Sequence, residues 1–159
     1  MTRFYLSILL TYRLLVKSPM QEYSIRRAKP RDIKTLAHLN NRIFPEDHAI
    51  DFSVGVWWVV EDWAMRPAGF CGLTEYRRAG YVFLKRAGIL YSHRGNRLHR
   101  RLISVRLRYA KQHGFGQSIT YTLLDNTWSS NNLIRAGFKL YLPPERWVGD
   151  QVLYWVRWL

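Results

Sequence analysis

The chain has 159 residues, 48% of them hydrophobic and 15% aromatic, which is typical of one folded domain with a sizeable core and excludes an intrinsically disordered protein. Its formal net charge of +14 favours polyanionic partners such as nucleic acid, an acidic membrane or a phosphorylated cofactor. Cys71 is the single cysteine, so an internal disulfide and a cysteine-rich zinc site are excluded, and a reduced, cytoplasmic setting is expected.

Residues 1–19 differ from the rest of the chain. Their apolar run, residues 4–16, is interrupted by Arg13, is too short to span a membrane, and is followed by no small-residue cleavage site. Two interpretations stay open: an extra N-terminal segment, helical and loosely attached, or a start placed upstream of the true one. We therefore expect a single domain over residues 20–159 and no membrane partner.

From residue 20 onward, hydrophobic periods and turn residues predict the order β-α-β-β-β-α-β-α-β-β, a mixed α/β (α+β) domain. Pro30 and Asp32 mark the start of the first helix, while Gly114 and Gly137 end the second and third. Strands are expected at residues 23–28, 54–60, 68–76, 81–91, 118–124, 138–141 and 151–158.

The loop at residues 44–51 contains Glu46, Asp47, His48 and Asp51. A metal site is one interpretation of three carboxylates and a histidine. Their spacing matches no known metal loop, so a plain or substrate-side loop is favoured and no metal is predicted.

The most informative stretch is the strand at residues 81–91, the turn at residues 92–96 and the helix that follows. This helix is predicted from the helical spacing of Leu98, Leu102, Val105 and Tyr109. The first N–H groups of a helix have no intrahelical acceptor and its dipole favours anions there, and Arg94 and Arg97 add positive charge. This pattern predicts a phosphate cradle, with a plain connection as the alternative.

A second motif follows the strand at residues 118–124. Asn126 is followed three positions later by Ser129 and eleven positions later by Gly137 and Phe138. Together with Arg94 and Gly95 in the turn, this order and spacing resemble the Gcn5-related N-acetyltransferase (GNAT) superfamily. The resemblance covers about residues 23–159 and looks closest to small acetyltransferase-like proteins of phages and bacteria.

The resemblance implies a mostly antiparallel central sheet flanked by helices, whose central strands splay apart after Leu90 to leave a V-shaped slot for acetyl-CoA. Backbone groups of Ile89 and Tyr91 would pair with the pantetheine amides in the manner of an added strand. The pyrophosphate would lie on the turn, and Asn126 and Ser129 would contact the pantetheine arm. The implied cofactor-binding residues are Ile89, Leu90, Tyr91, Arg94, Gly95, Asn96, Arg97, Leu98, His99, Asn126 and Ser129.

Three positions depart from the family pattern. Arg97 and His99 stand where glycines let phosphate approach the backbone closely. Their side chains either point away, or Arg97 itself grips a phosphate. Leu133 stands where many relatives have a tyrosine that faces the thioester sulfur, so the usual proton donor to the leaving thiolate is missing.

Family chemistry is direct attack of an amine on the thioester, with the Ile89 amide as the implied oxyanion donor. Among Glu61, Asp62 and Glu75, which lie near strand ends, Glu75 is the preferred general base, with a water chain as the alternative. Tyr141 is the nearest tyrosine that could protonate the thiolate.

Two hypotheses remain at this stage. The first is an N-acetyltransferase that uses acetyl-CoA, acts on a small-molecule or protein amine, and works in the cytoplasm, or in the host cytoplasm if the chain is phage-encoded. The second is a non-catalytic basic module on the same fold that binds nucleic acid or a protein partner. The charge of +14 disfavours polycationic acceptors and favours an acidic one.

Overall fold

The computed structural model describes residues 23–159, so the expectations for residues 1–19 lie outside the described part. Its strands are β1 (Ser24–Arg27), β2 (Val56–Glu61), β3 (Pro67–Tyr76), β4 (Tyr81–Ile89), β5 (Gln117–Leu123), β6 (Lys139–Leu140) and β7 (Val152–Trp158). Its helices are α1 (Ile33–Ile43), α2 (Leu98–Gln112) and α3 (Thr127–Arg135), with short 3-10 turns at Pro30–Asp32, Arg77–Ala79 and Tyr91–His93. The predicted order of strands and helices is confirmed.

The strands form one sheet in the order β1-β2-β3-β4-β5-β7-β6. Only the central pair, β4 and β5, is parallel, and every other neighbouring pair is antiparallel. The mixed, mostly antiparallel sheet that the sequence predicts is therefore confirmed. β7 inserts between β5 and β6, so the final hairpin closes the sheet on the α3 side.

Helices cover both faces of the sheet. On one face, α2 buries Leu102 and Ile103 completely against Leu73 and Val82. On the other face, α1 packs Leu36 and Leu39 on Trp57, Val59 and Phe70. Alternate residues of β2 belong to the two clusters, as expected where a strand is buried on both sides. Each fully buried leucine or isoleucine contributes roughly 1.5–3 kcal/mol.

The central strands separate earlier than predicted. Parallel pairing of β4 with β5 ends at Phe83 and Ile119, so the expectation that they diverge after Leu90 is wrong by several residues. The cause is a bulge in β4, where Lys85 and Arg86 lie opposite the single residue Gly72 of β3. The bulge turns backbone groups of β4 away from β5, and side chains replace the lost ladder.

Two side chains bond to carbonyls of β4 at the start of the gap, one from β5 and one from α2. Thr120 Oγ1 donates to the Leu84 carbonyl at 3.0 Å, and Arg106 Nη1 donates to the Lys85 carbonyl at 3.0 Å. Beyond these bonds, β4 and β5 diverge and leave a slot between them. Within residues 23–159, no helix is long and apolar enough to cross a membrane.

Candidate functional site

A cavity of about 700 Å³ opens where β4 and β5 diverge. Within residues 23–159, its walls come from the end of α1, the end of β4, the turn that leads into α2 with the start of that helix, and α3. The cavity-lining residues include Ile89, Arg94, Gly95, Arg97, Leu98, His99, Asn126 and Ser129, all of which the sequence singles out. Sequence reasoning missed Gly88, Trp128, Asn132 and Arg135, which also line it.

The backbone of Ile89 faces this slot. The next N–H along the chain, that of Leu90, donates to the Ala68 carbonyl at 2.9 Å and so points toward β3. Because successive residues of a strand direct their N–H and C=O groups to opposite edges, those of Ile89 point to the slot. The Ile89 carbonyl accepts a long hydrogen bond from Arg94 Nε at 3.3 Å.

Leu90 and Tyr91 do not line the slot, in contrast to the sequence expectation. β4 ends at Ile89, and the chain bends at once into the 3-10 turn Tyr91–His93. The Leu90 carbonyl consequently accepts from the His93 N–H at 2.9 Å, and the Tyr91 side chain is 85% exposed. The extended backbone available to a ligand is therefore shorter than predicted.

The turn before α2 contains two residues with left-handed backbone conformation. Gly95 has φ of 82°, and Arg97, at a position where the family has glycine, has φ of 56°. A non-glycine residue in the left-handed region is strained, so Arg97 keeps the shape of the glycine turn at a cost in energy. Arginine side chains and the first N–H groups of α2 surround the cavity here.

The charged side chains that the structure describes around the cavity are arginines. Among residues 23–159, four arginines and no carboxylate line it: Arg94, Arg97, Arg100 and Arg135. Such a site favours a ligand with several phosphate charges, since guanidinium groups bind phosphate oxygens through charge-assisted hydrogen bonds.

Tyr23 holds the turn in place from the start of the sheet. Its hydroxyl lies 3.0 Å from His93 Nδ1 and accepts from Asn96 Nδ2 at 3.3 Å, and its carbonyl accepts from Arg101 at 2.7 Å. Asn96, predicted to contact the cofactor, does not line the cavity; its amide also donates to the carbonyls of His93 and Arg94. The amide side chain of Asn96 thus shapes the turn from within.

Asn126 combines the two roles that the sequence left open. Its Oδ1 accepts from the Ser129 N–H at 3.0 Å, which caps α3, and the residue also lines the slot. The cap fixes the side chain through Oδ1, so Nδ2 is not used by the cap. The N-terminus of α3 is thereby positioned beside the cavity, with its positive dipole end toward the ligand space.

A second cavity of about 440 Å³ continues from the first into the gap between β4 and β5. The two share the residues Phe44, Ala87, His99, Asn126 and Ser129. Leu133 lies in its wall, at the position where many GNAT proteins have tyrosine. Asp47, from the loop at residues 44–51, also reaches this wall, where it forms an ion pair with Arg86.

His99 stands between the two cavities. Burial, together with the nearby positive charge of Arg106, lowers the pKa of its imidazole to about 4. Its Nδ1 atom is buried and has no hydrogen-bond partner among the described residues. His99 is therefore a neutral imidazole near pH 7, with one polar atom that a ligand can satisfy.

The two residues preferred for acid–base chemistry lie outside both cavities. Glu75 accepts from Tyr109 Oη at 2.8 Å and from Arg77 at 2.9 Å, near the end of the sheet where β4 and β5 remain paired. Tyr141 packs against Tyr154, and burial raises the pKa of its phenol. Neither side chain is brought to the slot.

The other carboxylates near strand ends are also engaged elsewhere. Glu61 pairs with Arg26 at 2.8 Å, and Asp62 caps the turn before β3 and pairs with Arg66 at 2.8 Å. Within residues 23–159 no three His, Cys, Asp or Glu side chains are grouped so that they could hold a metal ion. Cys71 is fully buried, and burial raises the pKa of its thiol to about 11.

Comparison with known proteins gives a structural answer and no sequence match. No protein-family model and no curated protein matches the sequence. Solved structures with the same fold include an IAA acetyltransferase from Bacillus cereus, with a TM-score of 0.69, 15% identity and coverage of 87% of this chain and 100% of that one.

Two further structures agree. A GNAT-family acetyltransferase from Staphylococcus aureus has a TM-score of 0.70 at 13% identity, covering 86% of this chain and 99% of that one. Mutant forms of the spermidine/spermine N-acetyltransferase SpeG from Vibrio cholerae have a TM-score of 0.66 at 17% identity, covering 86% and 95%. The sheet with its splayed central strands, the turn before α2 and these similarities lead to one conclusion: the chain has the fold of the Gcn5-related N-acetyltransferase superfamily.

Proposed function

We propose that the protein transfers an acetyl group from acetyl-CoA to a primary amine by direct attack of the amine on the thioester. The observation that carries the proposal is the slot itself. Its entrance is lined by four arginines with no carboxylate, and the N–H and C=O of Ile89 face its interior. The fold neighbours are acetyltransferases by name, which supports acetyl transfer in general.

The arginines and the free N–H groups at the start of α2 would hold the phosphates of the substrate. Arg94 has a long bond to the Ile89 carbonyl, which it can give up for a stronger, charge-assisted bond to phosphate. That exchange would release the Ile89 carbonyl to accept from a pantetheine amide. Trp128, 72% exposed at the cavity wall, offers a flat apolar surface for the base of the nucleotide.

The Ile89 N–H is the donor best placed for the oxyanion that forms on the thioester. A fixed backbone donor in a site that excludes water stabilises developing negative charge more than bulk water does. The leaving thiolate needs a different group, because Leu133 has no proton to donate. Asn126 Nδ2 and the positive end of α3 serve that purpose by stabilising the thiolate as an anion.

The proton of the attacking amine would leave through water. Glu75 and Tyr141 are engaged away from the slot, and Asp47 is neutralised by Arg86 at its edge. His99, with its pKa lowered to about 4, is a weak base. The mechanism therefore selects amines that are already neutral, and the rate should rise with pH until the acceptor is fully deprotonated.

Turnover in the presence of acetyl-CoA and a panel of amines tests the proposal, with release of free thiol as the readout and mass spectrometry of the product as confirmation. Arg94→Ala should lower affinity for acetyl-CoA by roughly 10- to 150-fold, since a charge-assisted hydrogen bond contributes about 1.5–3 kcal/mol. Arg108→Ala, on the exposed face of the same helix, is the matched control and should change little. Equal affinity in the two variants would contradict the phosphate cradle.

A further inference from the structure

The second cavity, of about 440 Å³ and hereafter the inner cavity, carries positive charge that the described part of the chain, residues 23–159, does not neutralise. Its lining includes Lys85, Arg86 and Arg106 against one carboxylate, Asp47. Asp47 is taken by Arg86, and neither Lys85 nor Arg106 forms an ion pair within the described residues. Two cations therefore face this cavity without a carboxylate in contact.

Arg106 is the more unusual of the two. It lies on the inward face of α2, four residues after Leu102 and four before Ala110, and it is 3% exposed. Its Nε donates to the Leu102 carbonyl at 2.9 Å, and its Nη1 donates to the carbonyls of Lys85 at 3.0 Å and Gly72 at 3.4 Å. The hydrogen bonds of Arg106 within the described residues thus come from Nε and Nη1.

These bonds explain why an arginine is buried here, but they do not neutralise its charge. The β4 bulge exposes the carbonyls of Gly72 and Lys85, and Nη1 satisfies both. A guanidinium remains protonated in proteins even where burial lowers its pKa, so the full charge stays in the interior. Removing such a charge from water costs several kcal/mol unless an anion or a complete set of hydrogen bonds compensates it.

Lys85 supplies the second cation from the other face of the sheet. Its ammonium lies 5.2 Å from the centre of the Trp57 ring, and Lys85 also lines the cavity. Burial lowers the pKa of Lys85, while Asp51 raises it only as a distant charge and makes no ion pair with it. His99 adds the unpartnered Nδ1 at the junction with the outer cavity.

We propose that the inner cavity binds a carboxylate group of the substrate through Arg106 and Lys85. The inference rests on the proposed acetyl-transfer function and names the chemistry of what reacts there. The cavity volume of about 440 Å³ suits a small molecule or one side chain. The carboxylate belongs either to the amine acceptor or to the acyl group of the donor, and both sources require the same two cations.

Binding of glutarate, a small dicarboxylate, provides the first test, with glutaramide as the neutral probe of the same shape. Both are titrated into protein saturated with CoA, so that the phosphate cradle is already filled. Glutarate should bind saturably and at least about tenfold more tightly than glutaramide, which corresponds to about 1.4 kcal/mol. Failure of glutarate to bind the CoA-loaded protein would overturn the proposal.

Three variants test which residues bind glutarate. Arg106→Met keeps a long side chain without charge, Lys85→Met does the same at the other face, and Arg108→Met is the exposed control on α2. Glutarate affinity should fall at least about tenfold in the first two and stay unchanged in the third. If Arg106→Met does not fold, Lys85→Met decides. Unchanged glutarate binding in the cavity variants would refute the site.

Turnover then distinguishes the two sources. The acceptor pair is β-alanine against β-alaninamide at equal concentrations of neutral amine, and the donor pair is succinyl-CoA against butyryl-CoA with one fixed amine. A preference for the charged member that disappears in Lys85→Met identifies the source. Transfer without preference in either pair contradicts the carboxylate site alone, whereas absence of CoA binding contradicts the proposed function.

Discussion

Arg97 is a left-handed residue at a position where glycine is unstrained, so Arg97→Gly should be more stable than Arg97→Ala. Its φ of 56° places the Cβ atom close to the following carbonyl oxygen, which costs about 1–2 kcal/mol. Arg97→Gly removes this strain, whereas Arg97→Ala removes the charge and retains the strain. The difference between the two variants isolates the backbone contribution, because both lose the same guanidinium group.

We expect Arg97→Gly to exceed Arg97→Ala in unfolding free energy by about 1 kcal/mol, after the extra conformational entropy of glycine is subtracted. For a chain of this length, 1 kcal/mol corresponds to about 2–4 °C in Tm. Differential scanning calorimetry without ligand measures both values. Gly95→Ala gives the opposite control: its φ is 82°, and a Cβ there would meet no atom within 4 Å, so only backbone strain should lower its Tm.

Equal Tm values for Arg97→Gly and Arg97→Ala would refute the left-handed turn. The same variants report on the cofactor. If Arg97 grips a phosphate, both should lose affinity for acetyl-CoA by about tenfold or more, since each removes a charge-assisted contact. If instead the side chain points away, both should bind as the wild type does.

Three further predictions concern the frame of the site. Gly88→Ala should lower the unfolding free energy by about 1–3 kcal/mol in urea titrations, because its Cβ would lie 2.7 Å from Phe44 and 2.8 Å from Ile43; Gly116→Ala, with nothing closer than 4.0 Å, should be nearly neutral. Tyr23→Phe should lower stability by about 1 kcal/mol and weaken acetyl-CoA binding, because it removes the hydroxyl that holds the turn; unchanged binding would show that the turn is rigid without it. Arg26 and the Lys29 N–H lower the pKa of Asp32 to about 2, so its stabilising contribution is present above the unfolded value of 3.8 and is lost as pH falls toward 2. Asp32→Asn should therefore make the free energy of unfolding depend less on pH between pH 4 and 2. An unaltered pH profile would contradict this coupling.

Much of the fold follows from local sequence signals. Alternation and turn residues locate the strands, and the glycines after α2 and α3 mark the helix ends, because each depends on contacts within a few residues. The predicted starting point of the gap between β4 and β5 was wrong. That point depends on a bulge opposite Gly72, which the pattern of β4 alone does not reveal.

The turn before α2 could also be predicted from the sequence, because a strand, a glycine and a helix start produce it locally. The residues for acid–base chemistry could not be predicted in the same way. Glu75 and Tyr141 fit by sequence distance, yet the paired end of the sheet and the last hairpin direct them elsewhere. Which side chain reaches a slot depends on strand register, and register is set by long-range pairing.

The burial of Arg106 has a signal in the sequence. Its spacing from Leu102 and Ala110 places it on the buried stripe of α2. A lone charge on an apolar helix face is unusual enough to indicate a buried polar role. Lys85 gave no comparable signal, because its position beside the gap depends on the bulge.

Calorimetric titration of acetyl-CoA into the purified protein tests the central claim most directly. The account predicts saturable binding to one site per chain, in the micromolar range typical of substrates, with an affinity that falls as salt screens the arginines. It also predicts a loss of at least about tenfold in Arg94→Ala, while Arg108→Ala binds as the wild type does. No binding at millimolar acetyl-CoA, together with tight and strongly salt-dependent binding of DNA or RNA, would contradict the account and favour a nucleic-acid-binding module on the same fold.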